Sequence, residues 1–123
     1  MRVFNFLILA AIMTFGAVNA NAQASAKRVK NITANEMRTM MSEKDVVVLD
    51  VRTAREFAAS NIEGAINIPL NTISKKLDEF DKSKKYFVYC RSGVRSRRAS
   101  MILARNGFET YNLTRGFLSW NKR

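Results

Sequence analysis

The stretch YFVYCRSGVRSRRASMILARNG, residues 86–107, passes from β-forming residues through a polar loop into a helix-forming run. Tyr86-Phe87-Val88-Tyr89 reads as a buried strand, and it delivers Cys90, the only cysteine in the chain, at its C-terminal end. Arg91 to Arg95 forms the loop. Ser96 to Asn106 reads as a helix with Ala99, Ile102 and Leu103 inward, stopped by Gly107 just past its end. A strand that runs through a short loop into a helix is the unit of a parallel sheet covered by helices. In such open sheets ligands bind beyond the C-terminal ends of strands, where helix N-termini point. Cys90 lies there by this reading.

The rest of the chain repeats the alternation, which gives an α/β fold with a mostly parallel sheet of about five strands flanked by helices. Val29 to Ile32 is a weak first strand. Thr33-Ala34-Asn35-Glu36 is a capping box, and Met37, Met40 and Met41 supply the apolar side of the helix it opens. Asp45 to Asp50 holds four consecutive apolar residues, which suits a strand buried on both faces. Thr53-Ala54-Arg55-Glu56 is a second capping box, so Glu56 has a structural task and is left out of catalysis. Gly64 to Pro69 reads as a short strand. Leu70, Ile73, Leu77 and Phe80 carry helical spacing, Thr110 to Asn112 is a last strand, and Phe117 to Trp120 docks its aromatics on the core.

The first residues do not belong to this domain. Arg2 precedes the almost wholly apolar run Val3 to Val18, and Ala20-Asn21-Ala22 supplies a small-x-small cleavage site. Residues 1–22 therefore read as a cleavable signal peptide, too short for the roughly 20 apolar residues of a spanning helix. Residues 23–28 are a flexible lead-in and 29–123 the domain. The implied location is the periplasm, with no stable membrane span after processing. A single cysteine in an exported chain forms no internal disulfide, and a lone thiol in an oxidising compartment points to a chemical task. The chain contains no histidine, which excludes Cys/His zinc sites and the Ser-His-Asp or Cys-His pairs. With 21 Lys+Arg against 10 Asp+Glu it favours anionic partners. Export and the lack of an aromatic-basic motif argue against nucleic acid.

The cysteine sits among Arg91, Arg95, Arg97 and Arg98 with no imidazole to take its proton. If the loop curls around Cys90, the backbone N–H groups of Ser92, Gly93, Val94 and Ser96 converge on the sulfur and form an anion cradle at a helix N-terminus. Such surroundings lower a thiol from its free value near ~8.5 to about 3.5–7.5. Cations at the start of a helix oppose its dipole, at ~0.3–1 kcal/mol each, so Arg95, Arg97 and Arg98 call for an anion there.

These residues resemble the single-domain rhodanese-like sulfurtransferases over almost the whole chain beyond Thr33. Leu49-Asp50-Val51-Arg52 with Glu56-Phe57 is similar to the family's D-V-R-x-x-x-E-[FY] element. Ile62 to Pro69 is similar to its H-I-x-G-A-x-N-[IL]-P element. Cys90 to Ser96 resembles its active loop, and Gly107-Phe108 with Asn112 to Phe117 and Trp120 resembles its closing G-[FY]…L-x-G-G-x-x-x-W. The likeness is close to the small exported thiosulfate sulfurtransferases of bacteria. Two positions depart from the pattern: Asn61 stands where histidine is common, and Arg115-Gly116 stands where Gly-Gly is usual. The related phosphatases place arginine one residue later in the loop, at the position of Ser96.

The resemblance implies a rhodanese-like three-layer fold and a two-step exchange. The Cys90 thiolate takes the outer sulfur of thiosulfate, releases sulfite and passes the sulfur to cyanide or a thiol. Arg91 and Arg95 would attract the donor dianion. Asp50 and Arg52 would brace the site as an ion pair beneath the loop. No metal or organic cofactor is implied, and short exposed strands on a basic surface suit a monomer. The alternative reading is a non-catalytic periplasmic carrier of sulfane sulfur from polysulfide.

Overall fold

The computed structural model describes residues 26–121; the signal peptide expected over 1–22 and the start of the 23–28 lead-in lie outside the described residues. In chain order the elements are β1 (Val29–Ile32), α1 (Ala34–Met40), β2 (Val46–Asp50), α2 (Ala54–Ala59), β3 (Ile66–Asn67), two 3-10 turns (Leu70–Lys75 and Leu77–Glu79), β4 (Lys85–Tyr89), α3 (Val94–Arg105), β5 (Glu109–Leu113) and α4 (Gly116–Trp120). Within the lead-in Lys27 is already tied down, its N–H donating to the Ala104 carbonyl at 2.7 Å.

The sheet order is β1-β5-β4-β2-β3, and every pairing is parallel. β4 occupies the centre, between β5 and β2. The loop leaving β4 therefore emerges between the ends of β2 and β5, with Val51 donating its N–H to the Tyr89 carbonyl at 3.0 Å. That position is the crevice where open α/β sheets carry their ligands.

Successive side chains of a strand face opposite ways, and here each face has its own core. Val48, Phe87 and Tyr89 point to the face covered by Met37 of α1 and by Phe117 and Trp120 of α4. Leu49, Val88 and Cys90 point to the other, against Ala99 and Leu103 of α3 and Ile73 of the first 3-10 turn. The cysteine is thus delivered to the α3 side. α4 is fixed from outside by Arg38, whose guanidinium lies 4.1 Å from the centre of the Trp120 ring and donates to the Trp120 carbonyl.

Both capping boxes form, each with threonine accepting from the glutamate N–H and the glutamate accepting from the threonine N–H. Helix α3 ends as expected at Gly107, with Phe108 N–H on the Leu103 carbonyl and Gly107 N–H on the Ala104 carbonyl, a Schellman closure. Three expectations change. The segment from Leu70 to Phe80 is not one helix but two 3-10 turns, broken at Lys76 (φ −118°, ψ 15°). Its apolar residues are spaced by three within each half, Leu70 to Ile73 and Leu77 to Phe80, which is the 3-10 repeat. β3 is shorter than the Gly64 to Pro69 reading, and α3 begins at Val94 rather than Ser96. The last shift follows from Gly93, whose φ of +104° turns the chain directly into the helix.

Candidate functional site

Gly93 is the pivot of the loop. Its positive φ aims its N–H back at Cys90, and that N–H donates to the Cys90 Sγ at 3.1 Å. A side chain there would meet strain whatever room it found. Cys90 is only 1% exposed. Burial pushes its thiol up, but the Ser96 hydroxyl and the backbone N–H groups of Ser96, Gly93 and Ser92 outweigh it, and the thiol lies below its ordinary value. The loop therefore stabilises a sulfur anion without an imidazole.

The Ser96 side chain adds a group that sequence reasoning left out, having named only the Ser96 amide. Its Oγ is buried and has no well-aligned hydrogen-bond partner among the described residues. The hydroxyl acts on the sulfur as a nearby dipole rather than through a formed bond, and a free rotor can turn its proton toward a thiolate. The readable signal was its place one turn into the helix, on the face that also buries Ala99 and Leu103.

The loop carbonyls are held from the opposite side. Phe117 N–H donates to the Cys90 carbonyl at 2.8 Å and Leu118 N–H to the Arg91 carbonyl at 3.1 Å, so the first amides of α4 clamp the loop. This approach requires Gly116, where an added Cβ would stand 2.4 Å from the Cys90 carbonyl oxygen. Arg115 precedes it at φ +64°, a left-handed conformation that costs a residue with a Cβ. With Ser92, Leu118 and Ser119 it lines an open cleft of about 350 Å³ beside the loop.

Asp50 and Arg52 lie under the site. Oδ2 of Asp50 accepts from Arg52 Nη2 at 2.7 Å, and Oδ1 accepts from the Arg52 backbone N–H at 2.9 Å. Arg52 also donates to the Ser60 carbonyl at 2.6 Å, and its guanidinium carbon stands 5.5 Å from the centre of the Tyr89 ring and 4.6 Å from that of Phe117. The pair joins β2 to the strand that carries the cysteine and to the helix that clamps its loop.

Arg91 and Arg95 part company. Arg91 is exposed and no carboxylate pairs with it among the described residues. Arg95 places Nη1 and Nη2 on the two carboxylate oxygens of Glu56, at 2.7 and 3.0 Å. The Arg95 guanidinium, helped by the Thr53 cap, holds the Glu56 carboxyl down at about 2 against the partial burial that raises it. Glu56, read from sequence as a cap alone, is both cap and clasp. Arg95 edges an apolar cleft of about 390 Å³ with Val51, Pro69 and Leu70. Asn61, just past the end of α2, donates to the Phe57 carbonyl at 2.9 Å. Among the described residues no cluster of acidic or cysteine side chains is arranged to hold a metal ion.

The Rhodanese-like domain model matches residues 33–123. A thiosulfate sulfurtransferase of Glaesserella parasuis is 34% identical over 90 residues, covering 72% of this chain and 83% of its own length. A sulfurtransferase of Allochromatium vinosum is 35% identical over 78 residues, covering 63% of this chain and 73% of its own. Among solved structures, a rhodanese-like domain protein from Staphylococcus aureus superposes with a TM-score of 0.70 at 35% identity, over 75% of this chain and 91% of that one.

Proposed function

We propose, for a chain that belongs to the rhodanese-like domain family, that Cys90 moves a sulfane sulfur from thiosulfate to cyanide or a thiol. The observation that carries this reading is the buried Cys90 sulfur, held by the Gly93 N–H at 3.1 Å at the head of α3. The thiolate attacks the outer sulfur of thiosulfate; the S–S bond of thiosulfate breaks and sulfite leaves with its electron pair. Cyanide or a thiolate then attacks the outer sulfur of the Cys90 persulfide, and the Cys90 thiolate leaves. Charge balances in both steps, and the sulfur anion at Cys90 persists throughout, which is what a ring of N–H donors serves.

Arg91, exposed and without a carboxylate, is the donor-capturing cation in this reading. Arg95 shapes the loop through Glu56 and adds a positive field that the carboxylate largely offsets. The Asp50–Arg52 pair braces the floor. The chain works as an exported, periplasmic protein once residues 1–22 are removed, and N-terminal sequencing of the secreted form checks that.

The test is thiocyanate formation from thiosulfate and cyanide, with Cys90→Ser beside the wild type. Turnover by the wild type and none by the variant supports the reading; turnover by the variant would sink it. With no turnover by either, one added sulfur in the intact mass after polysulfide treatment would leave a carrier.

A further inference from the structure

One long side of α3 is unlike the rest of the surface. Val94, Arg97, Met101 and Arg105 follow one another at helical spacing, so they share a face that begins at the sulfur loop. Val94 is 65% exposed and Met101 37%, two apolar side chains left in water between arginines. Beside them, Lys27 and Arg28 close a cleft of about 320 Å³ along β1. A second cleft, of about 510 Å³, runs from Arg97 to Ser92, Gly93 and Arg115. Asn31 and Arg97 line both, so the two form one groove that ends on the loop holding Cys90. No carboxylate lines either part, and none pairs with these cations among the described residues.

We propose that this groove docks an acidic segment of a partner polypeptide and presents that segment's cysteine to Cys90 as the sulfur acceptor, an inference that rests on the sulfur-transfer reading above. Two features select a polypeptide over a lipid surface or a nucleic acid. The cations call for carboxylates or phosphates, but the exposed Val94 and Met101 beside them suit apolar side chains. The groove also ends on a persulfide loop, where only a partner with a thiol has a use. There the partner thiolate attacks the outer sulfur, forming its own S–S bond. The bond from that sulfur to Cys90 Sγ breaks, and Cys90 leaves as thiolate. One thiolate replaces another, and no oxidant or reductant is consumed.

The test uses short peptides that carry glutamates around one cysteine, their glutamine counterparts, and cysteine-to-serine forms of both. The serine form of the glutamate peptide, followed by fluorescence anisotropy, should bind the protein about tenfold more tightly than its glutamine counterpart at low salt. Arg28→Gln/Arg105→Gln should erase that preference. Sulfur transfer from the persulfidated protein to the cysteine peptides should show the same tenfold preference and the same loss, while thiosulfate:cyanide turnover of the double variant stays at the wild-type rate. Equal binding of the two peptides, or a preference that survives in the double variant, overturns the proposal. Docking without faster transfer overturns the acceptor role. Tighter binding of a single-stranded oligonucleotide or of phosphatidylglycerol vesicles, lost in the same variant, would make the groove a phosphate surface instead. If cyanide turnover is absent from the wild type, the thiosulfate:cyanide reading fails, and the anisotropy result still decides the docking.

Discussion

Arg52 and Arg95 each place a guanidinium nitrogen 2.7 Å from a carboxylate oxygen beside the same loop, but their surroundings differ. The side chains of Arg52 and Asp50 are 6% and 0% exposed, whereas those of Arg95 and Glu56 are 36% and 30% exposed. Water screens the second pair and not the first, so one distance corresponds to two very different energies. The buried pair is costly to form and more costly to halve. The half-exposed pair can be lost cheaply, and its value lies in where it holds Arg95.

The largest break should come from Arg52→Ala, which strands Asp50 as a bare charge in the core. We expect a loss of about 3–5 kcal/mol in urea unfolding, with Asp50→Asn/Arg52→Ala recovering part of it because no buried charge remains. A double variant no more stable than the single one would show that lost packing, not charge, sets the cost. Glu56→Gln should cost only about 1 kcal/mol in the same measurement. Its pH dependence sharpens the contrast. The Glu56 carboxyl is lowered on folding from 4.5 to about 2, so its contribution is complete above the unfolded value and disappears as pH falls from about 4.5 toward 2. Acid unfolding of the Glu56→Gln protein should therefore be shallower across that window, and an unchanged profile would dissociate Glu56 from Arg95.

Smaller still is Arg115→Gly. Relief of the left-handed backbone, less the entropy cost of glycine, should stabilise the fold by about 0.5 kcal/mol by thermal melting. Ser96→Ala should hardly alter stability. It should move the pH midpoint of Cys90 alkylation upward, since a hydroxyl that favours the anion is removed. A midpoint left in place would assign the lowered thiol to the backbone N–H groups alone.

The contrast also explains what could be read in advance. Asp50 and Arg52 stand two residues apart at the end of one strand, so their pairing follows from local geometry. The clasp between Glu56 and Arg95 joins residues 39 apart in sequence, across two elements, and only the packing of α2 beside the loop brings them together. Local chemistry correctly gave Glu56 its cap and could not see the second use of the same carboxylate. The strand-loop-helix unit around Cys90 was legible because strand propensity, glycine and helical spacing agree there. From Leu70 to Phe80 they do not: spacing of three and four alternates, and the chain takes the tighter turns. The hydroxyl of Ser96 was missed because a buried serine leaves the same pattern as any small residue on the inner face of a helix.

The clamp on the loop carbonyls has a consequence in time. The amides that hold Cys90 and Arg91 belong to Phe117 and Leu118, and the approach depends on Gly116, all downstream of the cysteine. A chain emerging residue by residue shows its thiol before the segment that shapes the loop exists. The shape of the loop around this sulfur is thus completed last: a nascent chain carries an ordinary cysteine, and the finished one carries a thiol held below its ordinary value.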